Sequence, residues 1–192
     1  MSEQYLYLFA YVFLLCSGLI ILRVIVRREY SNHGRLTLIP AILQAAVFFA
    51  FGGFPALYLS DDWPVVNVSQ CQQILGNILL LNGLGLLFYG MVFLGILRSI
   101  GQGEPELKQT GLYRITRNPQ ALACGFYVVG FTLLWPSWYA VGWSVLYVIL
   151  IHAMILTEEE HLHRIHGTNY ESYCQKVPRY FRWSIMEENA SA

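Results

Sequence analysis

Every lysine and arginine of this 192-residue chain falls on one side of a predicted set of membrane spans. The apolar segments that separate these charges cover residues 5–26, 36–59, 74–97, 121–135 and 139–156. A spanning helix needs about 20 mostly apolar residues, and short cytoplasmic loops collect positive charge. Threading the segments through a bilayer leaves residues 1–4 and 60–73, which contain no Lys or Arg, on the far side. We therefore predict five transmembrane helices, with the N-terminus outside and the C-terminus in the cytoplasm.

The composition supports an all-α, integral membrane bundle. The chain is 56% hydrophobic and only 12% charged, whereas soluble domains carry about 25% charged residues. Its formal net charge is zero, and its basic residues flank apolar spans, so no nucleic-acid partner is expected. Of the four cysteines only Cys71 reaches the far side, and no C-x-x-C pair occurs, which argues against a disulfide or a zinc site.

Two features indicate how the spans pack. Gly76, Gly83 and Gly90 recur every seven residues in the third span and place small residues on one helical stripe, where another helix can approach closely. Asn118-Pro119 is typical of an N-cap and a first helical residue, and Trp135-Pro136 of a turn. The last two spans are therefore predicted to form a helical hairpin. Its first arm, of about 22 Å, is shorter than the roughly 30 Å hydrocarbon core.

The C-terminal region is predicted to be an ordered helical cap on the cytoplasmic side. Gly167 is a plausible end for the last long helix, and Thr168-Asn169-Tyr170-Glu171 matches a capping box that opens a second helix ending before Pro178. We expect one continuous domain, with a three-helix region at 1–97 and a catalytic region at 98–192.

Three groups of polar residues converge on the predicted cytoplasmic face. The first is the loop 98–116, and the second is Arg117-Asn118-Pro119, where a helix N-terminus suits a carboxylate or phosphate. The third is Glu158-Glu159-Glu160, at a helix C-terminus that disfavours acidic residues. His152, inside the last span, is a candidate for a substrate pocket.

No metal site is predicted on this face. His161, His163 and His166 do not share one helical face, and only the last two could meet. The chain also lacks a recognisable pair of nucleophile and base. The residues alone indicate a polar ligand bound from the cytoplasm and an apolar substrate from the membrane.

Two ordered motifs carry a resemblance to a known family. Residues 111–119, Gly-Leu-Tyr-Arg-Ile-Thr-Arg-Asn-Pro, are similar to the G-x-Y-x-x-x-R-H-P segment of isoprenylcysteine carboxyl methyltransferases. Glu158-Glu159-x-x-Leu162, Gly167-x-x-Tyr170-x-x-Tyr173 and Val177-Pro178 resemble that family's C-terminal motifs. The broader membrane methyltransferase group, which includes phospholipid methyltransferases, often has Asn at the position of Asn118.

The resemblance implies S-adenosylmethionine as cofactor and S-adenosylhomocysteine as product. The cofactor-binding positions it implies are Pro105, Glu106, Leu107, Lys108, Gly111, Tyr113, Asn118, Pro119, Gln120, Ala121 and Glu158. The helix start at Asn118 would take the methionine carboxylate, Glu158 the ammonium or the ribose hydroxyls, and Tyr113 the adenine or the sulfonium.

Two departures from the family concern the substrate. The eukaryotic enzymes place an arginine, thought to hold the substrate carboxylate, where this chain has Met154, and a tyrosine where it has Ala121. Arg117, Arg114 or His152 could supply the missing charge. Arg117, Glu158 and His152 are thus the catalytic candidates, and Met154 and His152 the substrate candidates.

The function expected from the resemblance is methyl transfer to the carboxylate of an isoprenylcysteine-like lipid that enters from the bilayer. This reaction needs no general base because the carboxylate is already ionised at neutral pH. The membrane would be the cell membrane of a prokaryote or the endoplasmic reticulum of a eukaryote, and no obligate protein partner is indicated. The alternatives are a phospholipid N-methyltransferase, a sterol-reductase-like NADPH oxidoreductase and a non-catalytic scaffold.

Overall fold

The computed structural model describes residues 3–59, 68–94 and 107–181. Within these ranges all regular secondary structure is helical, with no strand. Helix α1 (Glu3–Ile20) continues through a π-helical turn (Ile21–Ile25) into α2 (Val26–His33), and α3 (Leu38–Gly53) ends in a 3₁₀ turn (Phe54–Leu57). The remaining long helices are α4 (Gln70–Leu94), α5 (Pro119–Leu134) and α6 (Trp138–His166), followed by the short α7 (Thr168–Lys176).

The helices confirm the all-α membrane architecture. Four segments of the described chain are long and apolar enough to cross a membrane: Gln4–His33, Leu38–Leu57, Gln70–Gly90 and Trp138–His166. The apolar helix α5 is shorter, with 16 residues and thus about 24 Å of length. Each segment overlaps one of the five predicted spans, and the short first arm of the hairpin is also confirmed.

Helix α6 lies at the centre of the bundle, against α1 and α3. Trp143 is fully buried, stacks on Phe51 with ring centroids 4.9 Å apart, and donates its indole N–H to the Phe51 carbonyl at 3.0 Å. At one end of α1, Tyr7 donates a hydrogen bond to the carbonyl of Tyr139 at 2.8 Å. At the other end, Arg23, in the π-helical turn that continues α1, donates a hydrogen bond to Thr157 of α6 at 3.0 Å. The helices α1 and α6 therefore run parallel.

The predicted glycine stripe packs α4 against α5, as expected. A Cβ atom at Gly83 would lie 2.5 Å from the Tyr127 amide nitrogen, and one at Gly130 would lie 2.5 Å from that of Leu80. The backbones of the two helices therefore approach as closely as only glycine permits. Since Gly76 faces Gly130 and Gly90 faces Gln120, the helices run antiparallel.

The helix directions agree with the predicted alternation, since α1, α4 and α6 run one way and α3 and α5 the other. The end of the bundle where α1 and α6 leave the apolar core carries the three glutamates and is called the polar end below. Its assignment to the cytoplasm remains a prediction. The predicted domain boundary near residue 97 lies outside the described residues.

Helix α7 forms where it was predicted, but the predicted capping box is wrong. The N-cap is Gly167, with φ 48°, and Thr168 is already the first helical residue, without a side-chain cap. Gly167 also ends α6, as predicted, and its amide donates to the His163 carbonyl at 2.9 Å. A positive φ is accessible to glycine at little cost, so one residue both ends α6 and starts α7.

Candidate active site

The three consecutive glutamates of α6 have different surroundings at the polar end. Glu160 accepts hydrogen bonds from Arg23 Nη2 at 2.9 Å and from Arg27 Nε at 2.6 Å. Arg23 also donates to Thr157 Oγ1 at 3.0 Å. Arg23 lies inside the π-helical turn, and these contacts show that its side chain is directed at α6. Glu160 thus joins the last span to the first.

Glu159 is paired with two arginines from other parts of the chain. Its Oε2 accepts from Arg179 Nε at 2.9 Å and Nη2 at 2.6 Å, and its Oε1 lies 3.0 Å from Arg117 Nη1. Its side chain is only 11% exposed. The hydrogen bonds that the Arg179 guanidinium donates to Glu159 raise the pKa of Arg179. Arg117 Nη1 also donates to Cys174 Sγ at 2.9 Å, so this carboxylate joins α6, the start of α5 and the C-terminal segment.

Glu158 differs from its two neighbours. It is partly buried, and among the described residues it has no hydrogen bond and no ion pair. It lies near Tyr113: burial raises the pKa of the Tyr113 hydroxyl, and the charge of Glu158 raises it further. A carboxylate without a counter-charge is costly to bury, so Glu158 is the glutamate that would gain most from a cationic ligand.

The start of α5 is held by the C-terminal segment. Asn118 is the N-cap residue, as predicted, but its side chain forms no cap: Nδ2 donates instead to the carbonyl of Arg179 at 3.1 Å. The same carbonyl accepts from Thr116 Oγ1 at 3.1 Å, and the Arg117 amide donates to the Pro178 carbonyl at 3.0 Å. The Asn118 amide donates to Thr116 Oγ1 at 3.2 Å, but the Asn118 side-chain oxygen does not cap the positive end of the helix dipole.

A 3₁₀ turn (Gly111–Arg114) places Tyr113 beside this helix start. The turn opens at Gly111 with φ 61°, a conformation that favours glycine. Tyr173 of α7 donates to the Tyr113 carbonyl at 2.7 Å. Leu107 packs against the buried apolar cluster to which Tyr173 belongs, so the turn and the chain preceding it rest on α7.

The other predicted cofactor positions are distributed around the α5 start. The Gln120 side chain packs against Gly90 of α4, and Ala121 is buried, with its carbonyl accepting a hydrogen bond from the Tyr147 hydroxyl. Pro119 begins the helix, and Lys108 is partly buried. Pro105 and Glu106 lie outside the described residues.

The two substrate candidates occupy different faces of α6. Met154 lies one turn before Glu158 on the same face and packs against the core. His152 is exposed, and its Nδ1 lies 2.8 Å from the Tyr180 hydroxyl. Six residues separate His152 from Glu158, which corresponds to about 9 Å along the axis and to different helical faces. The structure therefore brings Tyr113, Glu158 and the α5 start together and leaves His152 apart.

The three neighbouring histidines have separate environments. His161 is buried and stacks on Tyr30 with ring centroids 4.1 Å apart, and His163 Nε2 lies 2.9 Å from Glu171. Over the described part of the chain, no three metal-ligating side chains come together.

Sequence reasoning missed Arg179, Cys174 and Tyr180 as parts of this region. The Val177-Pro178-Arg179 motif was the one available signal for the arginine, since Arg179 follows directly on the two matched positions. For Cys174 and Tyr180 no sequence signal existed, because their partners are 57 and 28 residues away.

A comparison with models of known families matches residues 71–169 to phospholipid methyltransferases. The match covers 99 of 192 residues, slightly more than half the chain. The chain belongs to the phospholipid methyltransferase family. This family lies within the isoprenylcysteine carboxyl methyltransferase group, so the resemblance seen in the sequence is confirmed. Searches of curated proteins and of solved structures returned no significant match.

Membership of the phospholipid methyltransferase family makes the protein a membrane methyltransferase. The matched region extends from the second residue of α4 to the second of α7. It therefore includes Tyr113, Asn118 and Glu158, together with the close α4–α5 contact.

Proposed function

We propose that the protein is an S-adenosylmethionine-dependent methyltransferase with its cofactor site around Glu158, Tyr113 and the start of α5. The observation that carries this proposal is the difference among the three glutamates. Glu159 and Glu160 are each paired with two arginines, whereas Glu158 has no counter-charge among the described residues. A cationic ligand would supply that charge.

The described residues fit this cofactor in charge and in chemistry. Glu158 would pair with the ammonium group or accept the ribose hydroxyls, and the uncapped start of α5 would bind the methionine carboxylate. The Tyr113 ring would pack on the adenine or the sulfonium. The cofactor supplies an electrophilic methyl group, which the acceptor displaces in line.

Arg117 would position the two helices around the cofactor and would not contact the methyl acceptor itself. Its guanidinium is 14% exposed and is already engaged with Glu159 and Cys174. By holding Glu159, Arg117 maintains the distance between the α5 start and the end of α6. These are the two elements that would bind opposite ends of the cofactor.

For the acceptor, the charges favour a phospholipid amine over a carboxylate. Met154 stands where related enzymes carry an arginine, and Arg117 and Arg179, close to the site, are both paired with Glu159. An amine needs no such cation, but it must lose a proton before it can attack the methyl group. His152 is not assigned this role, because it lies about 9 Å from Glu158 along α6 and on a different face, with its Nδ1 2.8 Å from the Tyr180 hydroxyl.

A second acceptor class, the carboxylate of an isoprenylcysteine-like lipid, is favoured by the paired motifs and by Arg114. This arginine follows Tyr113 directly, is exposed, and lies on the same 3₁₀ turn. Its charge could hold a carboxylate in place of the arginine that Met154 replaces. The family contains methyltransferases, so the oxidoreductase alternative is not carried forward.

Calorimetric binding of S-adenosylhomocysteine to the detergent-purified protein tests the cofactor site. We expect micromolar binding that weakens at least tenfold in Glu158→Gln, since a charge-assisted hydrogen bond is lost. Glu171→Gln is the matched control, because Glu171 is exposed and its one ion pair within the described part of the chain is with His163. Equal affinity in both variants, or binding of a nicotinamide dinucleotide instead, would overturn the assignment.

Transfer of a labelled methyl group in nanodiscs identifies the acceptor. Phosphatidylethanolamine and a farnesylated cysteine are offered separately across a pH series. An amine acceptor predicts a rate that rises with pH near neutrality, because the amine must lose a proton before it attacks the methyl group. Methylation of the farnesylated cysteine alone would contradict the amine proposal.

A further inference from the structure

A separate polar cavity lies beside α7, at the polar end of the bundle. Its volume is about 400 Å³, and we call it the α7 pocket. The polar residues that line it are Gln109, His166, Asn169, Ser172 and Lys176. Three of them lie on one face of α7, because positions 169, 172 and 176 are spaced by three and four residues. A volume of this size is typical of small-molecule sites.

Among the residues that the structure describes, the lining carries positive charge and hydrogen-bond donors but no carboxylate. Lys176 contributes an ammonium group, Asn169 and Gln109 contribute amides, and Ser172 a hydroxyl. The acidic residue of α7, Glu171, does not line the pocket and is engaged by His163 Nε2 at 2.9 Å. An anionic ligand is therefore the chemical class that this lining would attract.

His166 contributes its ring to the wall of the pocket. Its Nε2 atom has no hydrogen-bond partner among the described residues but is buried out of reach of solvent, so it is not one of the donors that a ligand in the pocket would meet. The donors available to a ligand are those of Lys176, Asn169, Gln109 and Ser172.

We propose that the α7 pocket binds a phosphate group. Several donors that converge from different side chains suit a tetrahedral oxyanion, which offers acceptor oxygens in several directions, and lysine is a common point-charge partner of phosphate. The inference rests on the proposed function, in which the acceptor is a phospholipid. The pocket adjoins the cofactor site because Tyr173 lines the pocket and also donates to the Tyr113 carbonyl. The phosphate in question is that of the acceptor's headgroup.

Binding to the full-length protein in detergent tests the proposal with three probes. These are a short-chain phosphatidylethanolamine, sn-glycerol 3-phosphate and a short-chain diacylglycerol without phosphate. Lys176→Gln removes the pocket's ammonium group. Arg164→Gln is the matched control, because it removes one exposed positive charge near the end of α6 that does not line the pocket. Binding of S-adenosylhomocysteine is measured in parallel.

We expect Lys176→Gln to weaken binding of the phosphate probes at least tenfold and Arg164→Gln to change it less than twofold. Loss of phosphatidylethanolamine binding supports the headgroup assignment, whether or not glycerol phosphate also binds. Loss of glycerol phosphate binding with unchanged lipid binding would overturn it and identify a soluble phosphate compound. Equal binding of diacylglycerol and phosphatidylethanolamine, or equal losses in the two variants, would overturn the phosphate site. Retained S-adenosylhomocysteine binding in that case leaves the cofactor proposal standing.

Ser172→Ala and Asn169→Ala keep the test decisive if Lys176→Gln does not fold. Each removes a hydrogen-bonding side chain from the wall of the pocket without altering the protein's net charge. A threefold or greater loss of phosphate binding in both variants supports the site, and no loss in either contradicts it.

Discussion

Arg117 Nη1 lies 3.0 Å from Glu159 Oε1, and the two side chains are 14% and 11% exposed. Arg117 lies two residues before the first residue of α5, and Glu159 lies in the last third of α6. The contact therefore sets the spacing of the two elements that flank the candidate cofactor site. Arg179 holds the other oxygen of the same carboxylate.

Removing this carboxylate should destabilise the protein strongly. Glu159→Gln leaves Arg117 without its counter-charge in a mostly buried position, which costs about 3 kcal/mol. The loss is measured as a lower thermal unfolding temperature in detergent. Glu171→Gln breaks an exposed pair worth under about 1 kcal/mol and serves as the reference. Equal unfolding temperatures for the two variants would contradict the prediction.

Substitution of neighbouring glutamates should affect stability and cofactor binding differently. Glu158→Gln should leave the unfolding temperature within about 2 °C of the parent while reducing S-adenosylhomocysteine affinity at least tenfold, because it breaks no described contact. Glu159→Gln should lower both quantities. Measuring unfolding and calorimetric binding on the same preparations checks this, and a large stability loss in Glu158→Gln would show that this residue has a structural role.

Helix α4 should tolerate a methyl group at a glycine that faces away from α5 and not at a glycine in the α4–α5 contact. Gly83→Ala places a Cβ 2.5 Å from the Tyr127 amide nitrogen and 2.7 Å from the Ala123 carbonyl oxygen, both rigid backbone atoms. The helices must separate, at a cost of about 1–3 kcal/mol. Gly85→Ala, on the same helix, meets nothing within 4 Å and should be neutral or slightly stabilising. Thermal unfolding of both variants tests the difference.

Two arginines that bind the same carboxylate should differ in importance. Arg23→Ala loses hydrogen bonds to both Thr157 and Glu160, whereas Arg27→Ala loses one to Glu160 from a side chain that is 53% exposed. We expect about 2 kcal/mol for Arg23 and less than about 1 kcal/mol for Arg27. A larger stability loss for Arg27→Ala than for Arg23→Ala in thermal unfolding would show that Arg23 does not make the main contact with Glu160.

The hydroxyl of Tyr173 should influence the cofactor site from a distance. Tyr173→Phe removes the 2.7 Å hydrogen bond to the Tyr113 carbonyl, which holds the 3₁₀ turn against α7. The expected stability loss is about 1 kcal/mol, with a fall of a few fold in S-adenosylhomocysteine affinity as Tyr113 loses its fixed position. Unchanged affinity would place Tyr113 outside the binding site.

Local sequence rules predicted those elements whose causes are also local. The short arm of the hairpin follows from Pro119 at the helix start and Pro136 after the turn, and the glycine stripe follows from a seven-residue repeat. The capping box failed because Gly167 already provides the reversal between α6 and α7, so Thr168 is helical and its hydroxyl is not in the capping position. Similarly, Asn118 occupies the N-cap, but a tertiary hydrogen bond to Arg179 takes its side chain.

The sequence by itself determined that this chain is a bundle of membrane helices and a methyltransferase relative, because apolar length, charge asymmetry and ordered motifs are properties of consecutive residues. The family resemblance singled out Glu158, but nothing in the sequence showed how Glu158, Glu159 and Glu160, which are chemically identical and adjacent, differ in their partners. Only the tertiary structure decided that two of them are paired, because their partners Arg23, Arg117 and Arg179 reach them from the π-helical turn after α1, the residues before α5 and the C-terminal segment. Those contacts depend on how the helices pack, which no local pattern encodes.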